Sequence, residues 1–180
     1  LVSGYKYWFA AEMYKAYLEC ACRIIRQNDG VVTAFDGDRV MAVFIGAYKN
    51  SSAAKTALQI NYAVEHIINP LIKEKYPKDS YIMNQSVGID TGSLYVAKTG
   101  IRNSNDLVWV GRPANYAAKL CSLRDGYNKS FITTDVYNAL NEPAKYDGGN
   151  PKRDMWELVT WAEYGMSIYR SRYWMRRGLD

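Results

Sequence analysis

The 180-residue sequence predicts an α+β fold of the ferredoxin-like βαββαβ type, with helices flanking a central, antiparallel-rich sheet. Two long segments have the apolar periodicity of amphipathic helices, and short runs typical of strands lie between and after them. The last two runs add extra C-terminal strands, and a first strand is expected before Leu1. No repeat or low-complexity linker is visible, so residues 1–180 are interpreted as a single domain.

The two long helices are predicted over Tyr7–Gln27 and residues 51–75. In the first, apolar side chains recur every three or four residues, and Asn28-Asp29-Gly30 then ends the helix, because Asn and Gly are favoured at helix C-termini. The second has a similar apolar stripe. Pro70 lies inside it and is expected to kink or shorten this helix, since proline lacks the backbone N–H.

A β-hairpin is predicted from strands at residues 31–35 and 39–45, because only Asp36, Gly37 and Asp38 separate them and Gly37 can adopt a positive φ. Further along the chain, turn-forming residues divide the sequence into shorter elements. Strands are predicted at residues 84–90, 107–110, 131–133, 155–160 and 166–171, and another element is expected to begin at residues 94–97. Helices are predicted at residues 113–123 and 134–140, and loops at residues 103–105 and 141–151.

Composition and charge limit the classes of protein and partner. Hydrophobic residues make up 48% and charged residues 23%, which is typical of a globular domain and excludes a disordered or collagen-like chain. The net charge of +5 suits a polyanionic ligand, either a nucleoside triphosphate or nucleic acid. The basic residues form no long stripe and the strands carry no RNP-type aromatic motif, so nucleic acid is not expected as a partner.

The sequence also bears on the location of the protein. No apolar run reaches the roughly 18 residues that a membrane span needs, so no membrane association is expected. Cys20, Cys22 and Cys121 are odd in number and lack a zinc-binding spacing. They are interpreted as reduced packing thiols, which predicts a cytoplasmic protein. The chain begins at Leu1 without a methionine, and further residues are therefore expected before it.

The segment at residues 35–44 reads Phe-Asp-Gly-Asp-Arg-Val-Met-Ala-Val-Phe and places carboxylates at the tip of the predicted hairpin. A carboxylate in a tight turn is held rigidly and faces outward, where Mg²⁺ or Mn²⁺ can bind protein and phosphate oxygens together. An Asp-Gly-Asp sequence alone is weak support for such a site, because ordinary hairpin turns also favour Asp and Gly. A metal site and a plain turn both stay open at this point.

Two further segments follow in order. Residues 88–92 read Gly-Ile-Asp-Thr-Gly, and residues 110–120 read Val-Gly-Arg-Pro-Ala-Asn-Tyr-Ala-Ala-Lys-Leu. In order and spacing, the three segments resemble the catalytic domain of class III nucleotidyl cyclases, which has a Gly-Asp hairpin, a Gly-Ile-x-x-Gly turn and an Asn-x-x-x-Arg helix. The resemblance covers almost the whole chain. With the ending Ser-Ile-Tyr-Arg-Ser-Arg-Tyr-Trp, it is nearest to the pyrimidine cyclases of bacterial anti-phage (Pycsar) systems.

The resemblance implies a metal-dependent enzyme in which the ribose 3′-OH of a nucleoside triphosphate attacks the α-phosphorus and pyrophosphate leaves. Asp38 matches the second of two aspartates that hold two divalent cations, Mn²⁺ or Mg²⁺, and the first is expected just before Leu1. Asn115 matches the asparagine that orients the ribose. Lys119 stands where the family has an arginine that stabilises the pentavalent phosphorus, so the charge is kept and the bidentate fork is lost.

The resemblance also implies a homodimer. In the family, the metal ligands come from one subunit and the asparagine and arginine from the other, so a two-fold dimer holds two composite sites. The alternative for Asn115 and Lys119 is an ordinary amphipathic helix with a solvated lysine, since one helical turn separates them.

The substrate base is indicated by two replaced side chains. Purine cyclases of this family place a Lys or Glu four residues before the second metal aspartate, where this sequence has Ala34. They place an Asp, Thr or Cys seven residues before the asparagine, where it has Val108. The loss of both hydrogen-bonding groups implies either a degenerate homologue or a cyclase for a different base. UTP is favoured over CTP, and the cyclic product is expected to act on a separate effector protein.

The candidate substrate-binding positions are Ala34, Phe35, Gly37, Val108 and Arg112. For Arg112, a contact with the triphosphate or the base is one interpretation and an ordinary surface arginine is the other. The alternatives to a pyrimidine cyclase are an adenylate cyclase with unusual base contacts and a nucleotide-binding or dimerisation module that has lost catalysis. Asp38 and Asn115 argue against such a module, and Lys119 leaves it open.

Overall fold

The computed structural model of the chain describes residues 4–101 and 104–176. The contacts within it divide the chain into two compact units. The first unit contains the residues up to Gln85 together with the segment from Trp174 onwards, and the second contains Ser86–Tyr173. Each unit has its own helices, strands and buried core.

The first unit begins with helix α1, Tyr7–Gln27, which has the bounds that the sequence predicts. Its buried face consists of Phe9, Ala10, Met13, Ala21, Ile24 and Ile25. After the helix, the side-chain amide of Asn28 donates a hydrogen bond of 3.0 Å to the backbone oxygen of Ile24, which satisfies one of the carbonyls at the helix end. Asp29 takes the left-handed conformation that ends the helix, with φ of 64°.

Strands β1, Val31–Asp36, and β2, Arg39–Val43, form the predicted antiparallel hairpin. Their register shifts between Val32 and Ala34, so Thr33 is an extra residue in β1. Such a β-bulge bends its strand and changes the direction of the side chains that follow. The sequence gives no signal for it, because Thr is an ordinary strand residue.

The predicted second long helix forms, but in three stretches. Helix α2, Lys49–Ala63, continues through a π-helical turn, Val64–Ile68, into α3, Asn69–Lys75. At the end of the π turn the backbone N–H of Asn69 donates to the oxygen of Val64, one residue further back than in an α-helix. Pro70 then lies in the first turn of α3, where a missing N–H costs little. The π turn before Pro70 therefore lets the helix continue beyond the proline.

The second unit contains most of the strands. In chain order its elements are β3 (Val87–Ile89), β4 (Tyr95–Ile101), β5 (Ser104–Val110), α4 (Arg112–Cys121), β6 (Ser130–Thr133), α5 (Thr134–Asn138), α6 (Glu142–Lys145), β7 (Glu157–Trp161), a 3₁₀ turn (Ala162–Tyr164) and β8 (Met166–Ser171). One four-stranded sheet has the order β3-β6-β8-β7, in which β3 and β6 are parallel and the other pairs are antiparallel. Strands β4 and β5 form a separate antiparallel hairpin.

Helix α4 packs closely on strand β3. A Cβ atom on Gly88 would lie 2.2 Å from the backbone oxygen of Ala117 and 2.4 Å from the backbone nitrogen of Cys121. Only a glycine allows the two backbones to approach this closely. Below the helix, Leu120, Phe131, Trp161 and Ile168 form a buried apolar cluster.

The α+β class with antiparallel-rich strand pairing and flanking helices is confirmed. The predicted loop at residues 103–105 is wrong for Ser104 and Asn105, which pair with Ile101 and Gly100, while Asn103 lies outside the described residues. The predicted loop at residues 141–151 is wrong at its start, because it contains α6. In the ranges that the structure describes, no helix is long and apolar enough to cross a membrane.

Candidate active site

The hairpin of β1 and β2 carries Asp38 at its tip. Asp36 pairs with Arg39, so Gly37 and Asp38 alone form the turn. Gly37 adopts φ of 59°, the left-handed region in which any other residue would pay the steric cost of a Cβ atom. The tight turn therefore leaves the Asp38 side chain exposed to solvent.

The two carboxylates beside the turn have different surroundings. Asp36 lies with Oδ2 3.5 Å from Nη2 of Arg39, in an exposed ion pair. Asp38 lies near Tyr81, whose pKa is raised by burial and then by the nearby Tyr14, Tyr5 and Asp38.

Asp38 fits a divalent cation by the chemistry of its donor atoms. A carboxylate supplies the hard oxygen ligands that Mg²⁺ and Mn²⁺ prefer. Within residues 4–101 and 104–176, no group of three or more His, Cys, Asp and Glu side chains could hold a metal ion on its own. Mg²⁺ is usually bound through one or two carboxylates together with substrate phosphates and water, so an exposed carboxylate at a rigid turn suits that mode of binding.

Ala34 and Phe35 precede the turn on β1. They follow the bulge at Thr33, and their side chains point to opposite faces of the hairpin. Ala34 is half-buried and offers no hydrogen-bonding group, whereas Phe35 is 60% exposed. Neither side chain offers a hydrogen-bonding group on its face of the hairpin.

Helix α4 carries the other candidate catalytic residues. It begins after Gly111, with Pro113 in its first turn, where the fixed φ of proline suits a helix start. Asn115 and Lys119 follow one turn apart, so they share one face of the helix, and both are exposed. The helix therefore presents an amide and an ammonium group side by side.

The ammonium group of Lys119 is held by a tyrosine. It donates a hydrogen bond to the hydroxyl of Tyr164 and lies 4.5 Å from the centroid of that ring. This hydrogen bond, and after it the electrostatic effects of Tyr164 and then Glu163, raise the pKa of Lys119. The Tyr164 ring packs against Trp161, with 4.2 Å between the two ring centroids. Lys119 is thus a localised positive charge rather than a freely moving side chain.

Arg112, the first residue of α4, is engaged by two carboxylates of the second unit. Its Nη2 donates a 2.8 Å hydrogen bond to Oδ2 of Asp135, and its Nε lies 3.5 Å from Oδ2 of Asp90. Its guanidinium carbon lies 5.2 Å from the centroid of the Tyr116 ring. The Arg112 side chain is 52% exposed, so these contacts leave one side of it open to solvent.

Val108 lies on β5, where it pairs with Ala97 of β4 and is 43% exposed. Other large apolar side chains of the same hairpin are also exposed, namely Tyr95, Val96, Leu107 and Val110. Tyr95, Val108 and Val110 lie on one face of the hairpin, and Val96 and Leu107 lie on the other, because paired residues share a face and successive residues alternate. We call Tyr95, Val108 and Val110 the arm surface. Exposed apolar patches of this kind are typical of interaction sites.

The candidate residues therefore form two local groups. Ala34, Phe35, Gly37 and Asp38 lie together on the hairpin of the first unit. Val108, Arg112, Asn115 and Lys119 lie on consecutive elements of the second unit.

Sequence reasoning missed two residues that contact the second group, Asp90 and Tyr164. Asp90 belongs to a motif that the sequence does reveal, and a charged residue at the end of an apolar strand is a signal that it is paired. Tyr164 contacts Lys119 from 45 residues away and has no signal in the sequence.

No protein-family model matches the chain. The chain is 53% identical over 174 residues to a protein named uridylate cyclase from Xanthomonas perforans, with 96% of this chain and 73% of that protein covered. It is 49% identical over 173 residues to a protein of the same name from Burkholderia cepacia, with the same coverage. Among solved structures, it is similar to the guanylyl cyclase Cya2, with a TM-score of 0.76 and 15% identity over 98% of this chain and 87% of that one, which is a likeness of fold.

Proposed function

Because this chain belongs to the uridylate cyclase family, we propose that it converts UTP into 3′,5′-cyclic UMP and pyrophosphate. The observation that carries the proposal is the 53% identity to a uridylate cyclase over 96% of the chain. The exposed Asp38 on its turn, and Asn115 and Lys119 on one face of α4, supply side chains of the chemistry that this reaction needs.

The reaction closes a ring on the ribose. The 3′-oxygen forms a bond to the α-phosphorus, the bond from that phosphorus to the bridging oxygen breaks, and pyrophosphate leaves with the electron pair. The proton of the hydroxyl passes to solvent. A divalent cation, when bound, neutralises phosphate charge and lowers the pKa of the attacking hydroxyl. We assign Asp38 to hold it, with Mn²⁺ or Mg²⁺ as the cation and a second carboxylate and cation completing the site.

Asn115 and Lys119 act on the rest of the substrate. The Asn115 amide has both donor and acceptor atoms, which suits the ribose oxygens that it must orient. Lys119 places a positive charge where negative charge develops on the α-phosphate oxygens. Its contact with Tyr164 supports this role, because a lysine lacks the rigid fork of an arginine and gains a defined position from the tyrosine.

The base specificity follows from what is missing. Ala34 and Val108 cannot form hydrogen bonds with a purine edge, and a site that does not pair with a base loses the discrimination that such pairing provides. Phe35, exposed beside the turn, is a further apolar side chain that we assign to contact the nucleotide. Among pyrimidines, the names of the relatives favour UTP over CTP.

The proposal includes a homodimer with composite sites. Asp38 of one subunit would act with Asn115 and Lys119 of the other, as the resemblance to class III cyclases implies. The arm surface supports dimerisation, since three exposed apolar side chains on one face of the hairpin are expected to be covered by a partner.

The biological setting is the last part of the proposal. We place the protein in the cytoplasm, where cysteine thiols stay reduced. Burial raises the pKa of Cys20 and of Cys22, which keeps both thiols protonated and unreactive. The cyclic product would act on a separate effector protein in anti-phage defence.

The test is to incubate the purified full-length protein with Mn²⁺ and each of the four nucleoside triphosphates separately, and to identify the products by mass spectrometry. Cyclic UMP from UTP is expected, and it should disappear in Asp38→Ala. Asp36→Ala is the matched control, because Asp36 is a carboxylate two residues away that pairs with Arg39. Cyclic AMP or GMP as the main product would overturn the base assignment, and equal loss in both variants would overturn the role of Asp38.

A further inference from the structure

Asp90 is a buried carboxylate that the proposed mechanism does not use. Its side chain has no solvent exposure. One oxygen, Oδ1, accepts a 2.6 Å hydrogen bond from the hydroxyl of Thr133, which lies at the end of the neighbouring strand β6. The other, Oδ2, is buried without a hydrogen-bond partner and lies 3.5 Å from Nε of Arg112. Burying a carboxylate costs free energy of folding unless the group is paired, so a role for the pairing of Asp90 is expected.

The partner of Asp90 stands at the beginning of α4. Arg112 is the first residue of that helix, and a cation there is disfavoured by the helix dipole, whereas carboxylates are favoured. Asp90 and Asp135 reverse this disadvantage, since both face Arg112. The hydrogen bond that Arg112 donates to Asp135, and then the charge of Asp90, raise the pKa of Arg112, so the guanidinium stays charged.

The pair joins two segments that carry the sequence motifs. Asp90 follows strand β3, and Arg112 lies one helical turn before Asn115, on the same side of α4. Gly88 already brings the middle of α4 onto β3, because no Cβ intervenes there. The Asp90–Arg112 contact adds a second attachment at the start of the helix, which limits its rotation about the first.

We propose that Asp90 is a positioning residue, which anchors the start of α4 through Arg112 and so places Asn115 for reaction. The inference rests on the proposed function. In this proposal Asp90 and Arg112 act as one unit that fixes the position of the helix. In the alternative interpretation, Arg112 itself binds the triphosphate.

The test is a double-mutant cycle with Asp90→Asn and Arg112→Gln, measured by the steady-state kinetics of cyclic UMP formation. A small displacement of a reacting group can cost about 100-fold, so we expect each single variant to lower kcat by about 10- to 100-fold with KM changed by less than about twofold. The double variant should be no slower than the slower single variant, because residues that act as a unit are not additive. Multiplied effects, or a raised KM in Arg112→Gln with normal Asp90→Asn, would overturn the proposal.

Two further variants test whether a general folding defect explains a lower kcat. Asp135→Asn removes the other partner of Arg112 at a 56% exposed side chain and should lower kcat less, again with little change in KM. Asp147→Asn is the control, because it breaks an ion pair with Arg153 in the loop after α6 and should leave kcat unchanged. Equal kinetic effects in Asp147→Asn and Asp135→Asn would contradict a specific role for the Arg112 contacts.

Amide hydrogen exchange separates this inference from the proposed function. Residues 112–116 should exchange faster in Asp90→Asn than in the unsubstituted protein, and this holds whether or not UTP is the substrate. An inactive unsubstituted protein with faster exchange in the variant would reject the function and keep the anchor. Unchanged exchange in residues 112–116 would reject the anchor, even in an active enzyme.

Discussion

Lys119 donates a hydrogen bond from its ammonium group to the hydroxyl of Tyr164, and its nitrogen lies 4.5 Å from the centroid of the Tyr164 ring. The contact joins helix α4 to the 3₁₀ turn between β7 and β8. Arginine and lysine side chains are similarly flexible, but the planar guanidinium of an arginine can bind two oxygens in a fixed geometry, whereas the ammonium group of a lysine is a point charge that a further contact can hold in place. Tyr164 provides that contact.

The first prediction concerns the Tyr164 hydroxyl. Tyr164→Phe keeps the ring that packs against Trp161 and removes the oxygen that accepts from Lys119. Since a misplaced catalytic group costs up to about 100-fold, we expect kcat for cyclic UMP formation to fall by between about 3-fold and about 100-fold, with KM little changed.

The matched control for this prediction is Tyr127→Phe. Tyr127 accepts a hydrogen bond from Arg172, whose guanidinium carbon lies 4.8 Å from the ring centroid, so it has the same kind of contact away from α4. The control should keep its kcat. A normal kcat in Tyr164→Phe would show that Lys119 needs no support from the tyrosine.

A second prediction concerns the contact between α4 and β3. In Gly88→Ala the new methyl group would lie 2.2 Å and 2.4 Å from backbone atoms of α4, so the helix must move. Overpacking of this kind costs about 1–3 kcal/mol, and we expect a lower Tm together with a lower kcat, because α4 carries Asn115 and Lys119. Both quantities can be measured by thermal unfolding and initial rates.

Gly148→Ala is the control for the same substitution. A Cβ atom on Gly148 meets no atom within 4 Å, so its Tm and kcat should stay close to those of the unsubstituted protein. If Gly88→Ala unfolds at the same temperature as this control, the close approach of α4 to β3 is not maintained in solution.

The elements that the sequence predicts well are those with strong local signals. Helix α1 has a regular apolar period and an Asn-Asp-Gly end, and its bounds are confirmed. The hairpin of β1 and β2 is specified by a two-residue turn with a glycine. By contrast, Ser104 and Asn105 are polar residues that usually indicate loops, and only their pairing with β4 makes them part of a strand.

The site divides in the same way. Asp38, Asn115 and Lys119 are predicted from local motifs, because each motif is a turn or a single helical turn. The contact of Lys119 with Tyr164 joins residues far apart in the chain, and no periodicity reports such a contact. The bulge at Thr33 is also invisible, since it depends on how β1 pairs with β2.

A third prediction concerns stability at low pH. The carboxylate of Glu12 accepts hydrogen bonds from Lys75 and Tyr76, and these bonds, that from Lys75 first, lower the pKa of Glu12. Because the folded pKa lies below the unfolded value of about 4.3, the contribution is complete above that value and is lost as the pH falls through the folded pKa. Glu12→Gln should therefore be less stable than the unsubstituted protein at neutral pH, and equally stable in strong acid.

Urea unfolding at a series of pH values measures this difference. Glu19→Gln serves for comparison, because Glu19 forms an exposed pair with Arg23 on the same helix, and such pairs contribute little. A stability loss in Glu12→Gln that does not change between neutral and acid pH would mean that the ionised carboxylate is not its source.

The last prediction concerns the substrate base. Adenine presents an amino group that donates a hydrogen bond and ring nitrogens that accept one, so a carboxylate and an ammonium group together can read its edge. Ala34 is half-buried and Val108 is 43% exposed, so neither position is so enclosed that a longer polar side chain would lose contact with water. The double variant Ala34→Lys with Val108→Asp should lower the preference for UTP over ATP by about tenfold or more, since hydrogen-bonding groups give the largest discrimination. The measurement is the ratio of cyclic UMP to cyclic AMP formed from an equimolar mixture of the two triphosphates.

Ala34→Met with Val108→Leu is the steric control, because it enlarges both side chains without adding a donor or acceptor. An equal shift in both double variants would mean that size, and not pairing, sets the choice of base.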